Sequence, residues 1–291
     1  MQGGLVTEDL VERIGTMQRE IDALQIAILG QKKPWYKEVP IMVSVAALLF
    51  SFSTTYVSYR RTEVQDIQNR RGELRGLLQR LAALPKENVE VTKKYAGDPA
   101  TVNLLAGYVN QENELLARQA AEVAKRLPKE TVSSTEYYGI GLALGNSYDL
   151  QNEKVFLKLS EETAEDFNTE IAALRTVGNL EFIMGQPEAG RVEYQKALGI
   201  FSKYKGYDPF TITSTDIWTE LAWANSEGGM GTRAAAGQHI ENAEHLLANL
   251  PMGPTSDMVR LQVAQSRSQF ERGGILAAPV SGLAIAASPR P

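Results

Sequence analysis

Cysteine is absent from the 291 residues. Disulfides, thiolate metal sites and thiol catalysis are therefore excluded. The compartment stays open, because a cysteine-free chain folds equally well in reducing and oxidising surroundings. Histidine is nearly absent, with two residues. His239 and His245 fall on different faces of a helix, and neither has a neighbour spaced for a metal. Strand-like alternation is missing throughout. Gly139–Gly145 (GIGLALG) has dinucleotide-like glycine spacing but follows no strand, and Gly228–Arg233 (GGMGTR) lacks the Gly-Lys-Ser/Thr ending that holds phosphate and magnesium. Ser202 and Lys205 have the Ser-x-x-Lys spacing of some acyl-transfer enzymes without the accompanying motifs. No enzyme, metal or cofactor is expected.

Excess positive charge is also lacking. The net charge is −5, spread unevenly: residues 1–85 carry 11 basic and 9 acidic groups, and residues 86–291 carry 19 and 26. An acidic C-terminal region is a poor polyanion binder, so nucleic acid is not an expected partner.

What is present is one long uncharged run, Val39–Tyr59, 21 residues between Lys37-Glu38 and Arg60-Arg61. As a helix it spans about 30 Å, the thickness of a bilayer's hydrocarbon core. Trp35, Tyr36, Tyr56 and Tyr59 sit where interfacial aromatics belong. A cleaved signal peptide is not expected, since the run begins nearly 40 residues in and is too long for an h-region. Residues 34–59 therefore read as a linker and a single membrane span. Four basic residues flank it on one side within about 20 positions and five on the other, which decides no topology. A cytosolic head is the working expectation.

Before the span, residues 1–33 form an arm in which Leu10, Ile14, Met17, Ile21, Leu24 and Ile28 repeat at 4, 3, 4, 3, 4. This is a heptad seam with isoleucine at one core position and leucine or methionine at the other, the pattern of a parallel two-stranded coil. An amphipathic helix lying on the membrane or on the C-terminal head is the alternative. Within the span Ala47, Ser51 and Thr55 make a small-residue face for helix pairing. These nine residues are the expected self-association set, and a homodimer is the expected assembly. Residues 60–85 read as a helical stalk with six arginines, ended by Pro85.

Residues 86–273 alternate helical stretches with short breaks: 101–127, 132–150, 153–167, 169–185, 187–204, 214–227, 233–250 and 256–271. Residues 274–291 mix Ala, Gly and Pro without periodicity and read as a disordered tail. The segment Ala173–Lys203 resembles a tetratricopeptide repeat: Leu174, Val177 and Gly178 open the pattern, Gly185 marks the turn, and Gly190, Tyr194 and Ala197 complete it. Glu181 departs from the tyrosine that the family prefers. Leu144, Gly145, Tyr148 and Ala164 match in part 33 residues earlier, as do Trp218, Leu221 and Ala222, then Ala236, Ile240 and Ala243, further on. The resemblance covers residues 130–250 and implies an all-α fold, an α-solenoid of antiparallel helix pairs behind the arm, span and stalk.

In that family the first helices line a groove for peptides or protein segments. Carried over, the groove holds Leu142, Asn146 and Asp149, then Arg175, Asn179 and Phe182, then Thr219, Trp223 and Ser226. The resemblance thus implies a membrane-anchored scaffold or adaptor that binds a partner protein or peptide. The alternatives are a periplasmic repeat protein assisting exported chains near the secretion channel, and a regulatory subunit binding a small ligand.

Overall fold

A computed structural model of the chain describes residues 3–29 and 39–272, with side chains over 12–27 and 42–272. The aromatic residues at 35 and 36 and the tail at 274–291 lie outside the described residues. No strand occurs among the described residues, and the contacts divide the chain into two units, 1–67 and 68–291.

The first unit holds α1 (Gly3–Leu29) and the beginning of α2 (Val39–Lys94). From Met42 onward α2 contains a stretch long and apolar enough to cross a membrane, none of it buried within the chain. Its hydroxyls are satisfied inside the helix itself. Thr54 donates to the carbonyls of Phe50 and Ser51 at 2.8 and 2.9 Å, and Thr55 to that of Ser51 at 2.8 Å. Such back-bonding removes the main objection to so many hydroxyls in an apolar segment.

The second unit begins inside the expected stalk. Pro85 does not end the helix: α2 continues through it to Lys94. An internal proline forfeits one backbone hydrogen bond and costs about 3 kcal/mol in an isolated helix. Here the flanking segment is held from the side. Leu74, Leu81 and Leu84 are buried, and Arg80 ties to Glu112 of α3 (Pro99–Lys125) at 2.6 Å and also grips Glu87 beyond the proline. Arg70 donates to the carbonyl of Arg126 at 3.1 Å, so this part of α2 runs antiparallel to α3. Arg71, an intruder in the apolar seam, pairs with Glu136 of the next helix at 2.8 Å. Residues 68–94 are therefore the first helix of the array and not a free stalk.

Three closely packed pairs follow: α4 (Ser134–Gly145) with α5 (Leu150–Thr163), α6 (Phe167–Ile183) with α7 (Pro187–Leu198), and α8 (Pro209–Gly229) with α9 (Arg233–Leu247). α10 (Pro254–Glu271) closes the series. Side-chain caps start most of these helices. Asp98, Asp149, Asp166 and Asp208 each accept from a backbone N–H three residues on, and Ser133 with Glu136 forms a capping box. Glu136 thus caps α4 and anchors Arg71 at once. Two turns reverse through left-handed glycines, Gly185 (φ 75°) and Gly231 (φ 79°).

Each pair closes where a small residue meets a large one. A Cβ placed on Gly178 would lie 3.0 Å from the Tyr194 ring, and one on Gly190 would lie 2.5 Å from Phe182 and 2.7 Å from the carbonyl of Gly178. Gly141 stands in the same way against Leu157, at 2.9 Å, and Ala224 packs with Ile240. At the far end Ile217, Leu221 and Ala243 share a core with Val259 and Val263 of α10.

Gly190→Ala is expected to destabilise the protein by at least about 1–3 kcal/mol, because backbone blocks the added methyl. Gly139→Ala, inside α4 with nothing within 4 Å of the added carbon, is expected to gain about 0.5–1 kcal/mol. Thermal unfolding of the detergent-solubilised chain followed by circular dichroism reads both, with midpoints moving in opposite directions.

Candidate partner-binding face

Equivalent positions in the array follow from the small-against-large contacts. Gly141 and Leu157 correspond to Gly178 and Tyr194, both 37 positions on, and these to Ala224 and Ile240, 46 positions on. The steps of 33 and 44 expected for the first helices therefore need correction by four and two residues. The shift changes which residues share a face. Tyr138, not Leu142, is the counterpart of Arg175, and Leu142, not Asn146, is the counterpart of Asn179. Asn146 is the exposed C-cap of α4, and Asp149 is the N-cap of α5, accepting from Asn152. Trp223 is the counterpart of Val177, on the face turned inward.

The middle of the expected groove is consumed by packing. Arg175 donates from Nε to Thr219 Oγ1 at 3.0 Å and from its terminal nitrogen to Thr219 Oγ1 and the Thr215 carbonyl at 2.7 and 2.6 Å. Desolvation lowers its pKa to about 10. Burial raises the nearby Asp216 to about 6, against the pull of Arg175. Asn179 accepts from Ser226 at 3.0 Å, and Ser226 shares a 2.8 Å contact with the Tyr194 hydroxyl. Phe182 and Trp223 are buried in one cluster with Tyr194. Trp223 stacks on Tyr194 at 5.5 Å and on His239 at 4.0 Å. Arg175, Asn179, Phe182, Thr219, Trp223 and Ser226 thus join α6 to α8 and its neighbours instead of lining an open channel. Tyr138 completes the same layer toward α4, with its hydroxyl 3.2 Å from that of Thr176.

A second set of contacts joins each pair to the next. Lys154 of α5 meets Glu181 of α6 at 2.6 Å, and Arg191 of α7 meets Glu227 of α8 at 2.7 Å. Lys154 and Arg191 stand 37 positions apart, and Glu181 and Glu227 stand 46 apart, the same steps as the packing contacts. Glu181 takes the tyrosine position of the resembled pattern because this joint needs a carboxylate. Both carboxylates are buried. Burial pushes the Glu227 carboxyl up, but hydrogen bonds from Arg191, Thr232 and Trp223 outweigh it and leave it below the usual carboxylate value. Where the third joint falls, Gly237 meets the Phe270 ring, and Arg233 lies 4.7 Å over that ring.

Four of the open apolar groups of the array lie at or near helix ends. Leu142 is 38% exposed near the end of α4, Tyr148 is 89% exposed in the following turn with φ 59°, Ile183 is 62% exposed at the end of α6, and Met230 is 47% exposed just past α8. Because each return helix reverses the chain, α4, α6 and α8 run in one direction side by side. Their C-terminal ends, with exposed Asn146, therefore form one edge of the array. Large exposed apolar groups gathered on one edge mark an interaction surface more readily than singly scattered ones. Ile183 and Met230 escaped sequence reading because they lie at helix ends, and Tyr148, which matches the repeat pattern in sequence, stands in the turn.

Among the described residues no group of His, Asp and Glu has the geometry to hold a metal. Of the expected self-association set, Ile14, Met17, Ile21 and Leu24 are solvent-exposed on α1, and Ala47, Ser51 and Thr55 are exposed on α2. The side chains of Leu10 and Ile28 lie outside the described residues. Neither the protein-family models nor the curated proteins nor the solved structures contain a match to this chain.

Removing Arg191 strands a buried carboxylate, so Arg191→Ala is expected to cost about 3–5 kcal/mol at neutral pH. The folded-state pKa of Glu227 is depressed, so its contribution is present above about 4.5 and is lost as pH falls through the folded value. The gap between variant and wild type should therefore narrow in acid. Glu153 has the opposite sign. It is buried against Gly145, and burial raises it to about 7. The unfolded chain releases this proton first, so stability falls as pH rises from about 4.5 to about 7. Glu153→Gln should stabilise the protein by up to about 2–3 kcal/mol above pH 7 and change little below pH 4.5. Urea midpoints across that range check both variants.

Proposed function

We propose that this chain is a membrane-anchored interaction protein whose helical array holds a partner protein or peptide segment along the edge formed by the ends of α4, α6 and α8. The observation that carries the reading is the exposure of Leu142, Tyr148, Ile183 and Met230 on that edge, while the middle of the same helices is closed by internal hydrogen bonds. Anchoring by a single span is supported by the apolar, unburied start of α2 and by its self-satisfied hydroxyls.

The array is tetratricopeptide-like in its packing logic. The small-against-large contacts at Gly178–Tyr194 and Gly190–Phe182 support this, and the contact pattern recurs at Gly141–Leu157. Its units are longer than the roughly 34 residues of that repeat family. Arg175 is not offered to a ligand, since most of its donors face Thr215 and Thr219. The edge instead offers apolar anchors with an amide, Asn146, among them. That suits a segment with two or three large apolar side chains.

A photo-crosslinking residue placed at Tyr148 or Ile183 of the full chain in its native membrane should trap one discrete partner. The same residue at Val192, an exposed position on α7, should not. Leu142→Glu combined with a probe at Ile183 should abolish the product. Equal trapping at Val192, or a product indifferent to Leu142→Glu, would overturn the assignment of the edge. Extraction of the protein by carbonate at high pH would overturn the anchor.

A further inference from the structure

We infer that α1 pairs with α1 of a second copy as a parallel two-stranded coil. The described part of the helix presents Ile14, Met17, Ile21 and Leu24 at spacings of 3, 4 and 3, each 36–47% exposed. Isoleucine at the first core position and leucine or methionine at the second favour two parallel strands over higher orders.

Charge beside the seam selects the orientation. Arg13, Gln18, Glu20 and Gln25 flank it. In a parallel pair in register, Arg13 of one copy meets Gln18 of the other, and Glu20 meets Gln25, so no like charges face each other. An antiparallel pair with full overlap of the seam sets Glu20 against Glu20 of the second copy. Like-charge juxtaposition at such positions is a device against the wrong pairing.

Three heptads alone make a marginal coil. In the anchored setting proposed above, confinement of both copies to one membrane raises their effective concentration without any new contact. Parallel pairing then gives both copies one membrane orientation and makes the assembly bivalent. The pairing itself does not depend on what the array binds.

The absence of native cysteine permits a direct test on the full chain in detergent micelles and in vesicles. Leu24→Cys, at a core position, should form a disulfide-linked dimer under mild oxidation at least about tenfold faster than Arg19→Cys on the outer face. The combined Ile14→Glu, Ile21→Glu variant should run as a monomer in light scattering while keeping its helical content. Trapping at Ile183 should persist in that variant, which separates failure of the coil from failure of the binding edge. Equal rates for the two cysteines, or a dimer that survives the double glutamate variant, would overturn the pairing. Faster crosslinking between Ile14→Cys and Leu24→Cys copies than between two Leu24→Cys copies would overturn the parallel orientation.

Discussion

Two helices approach closely only where one of them has almost no side chain, and the array depends on that condition. Gly178 lets Tyr194 lie against the backbone of α6, and Gly190 lets Phe182 do the same against α7. Tyr194 is thereby placed to stack on Trp223, and Trp223 on His239. A pair of glycines within one helix pair thus sets the position of aromatic groups two helices away. Packing of this density tolerates little change of volume. The neighbouring pairs use the same device with different residues, Gly141 under Leu157 and Ala224 against Ile240.

Between pairs the logic is electrostatic. Lys154–Glu181 and Arg191–Glu227 place a buried carboxylate beside a cation in each joint, and at Glu227 hydrogen bonds from Arg191 offset the desolvation. Such pairs contribute little net stability compared with apolar packing, but they penalise any arrangement that leaves the carboxylate unpaired. That penalty fixes which helix faces which, in an array whose apolar surfaces alone are interchangeable. Hydrogen bonds from Arg175 to α8 and from Tyr138 toward Thr176 add a second fixed layer on the first helices.

Much of this was legible in the sequence. Pro128, Gly185 and Gly231 punctuate the chain where helices end, and the Gly178, Gly190, Tyr194 pattern gave the central pair correctly. Pro85 misled because a local rule for helix ends takes no account of Arg80, which holds both sides of the proline through Glu112 and Glu87. The register of the first pair was misread because Gly139, Gly141 and Gly145 all offer a small residue, and only a contact with Leu157 picks out Gly141. The candidate groove changes for the same reason: Arg175, Asn179 and Trp223 are engaged inside the array, while Asn146 stays exposed at its edge. A shift of two residues turns a helix by about 200°, which carries Trp223 from the open face to the interior, and a shift of four moves about one turn along the same face, which carries Asn146 to a helix end. Periodicity shows that a residue lies on a face, and only the neighbour shows whether that face is covered.

The final joint sets a limit on growth. Its counterpart of Lys154 and Arg191 is Gly237, and the closing helix offers the Phe270 ring where the earlier joints offer a carboxylate. A tandem duplicate of α8 and α9 inserted after Leu247 would bring its own copy of Glu227 against Gly237. That acid would meet no basic residue at 237 and would depend on Arg233, which lies over the Phe270 ring at this joint and donates to the Phe270 carbonyl. Repeat arrays ordinarily lengthen by duplicating a unit, and here the last unit ends on a joint of different chemistry. Extension at the C-terminal end therefore requires Arg233 to exchange the Phe270 carbonyl for that carboxylate, so growth turns on one arginine.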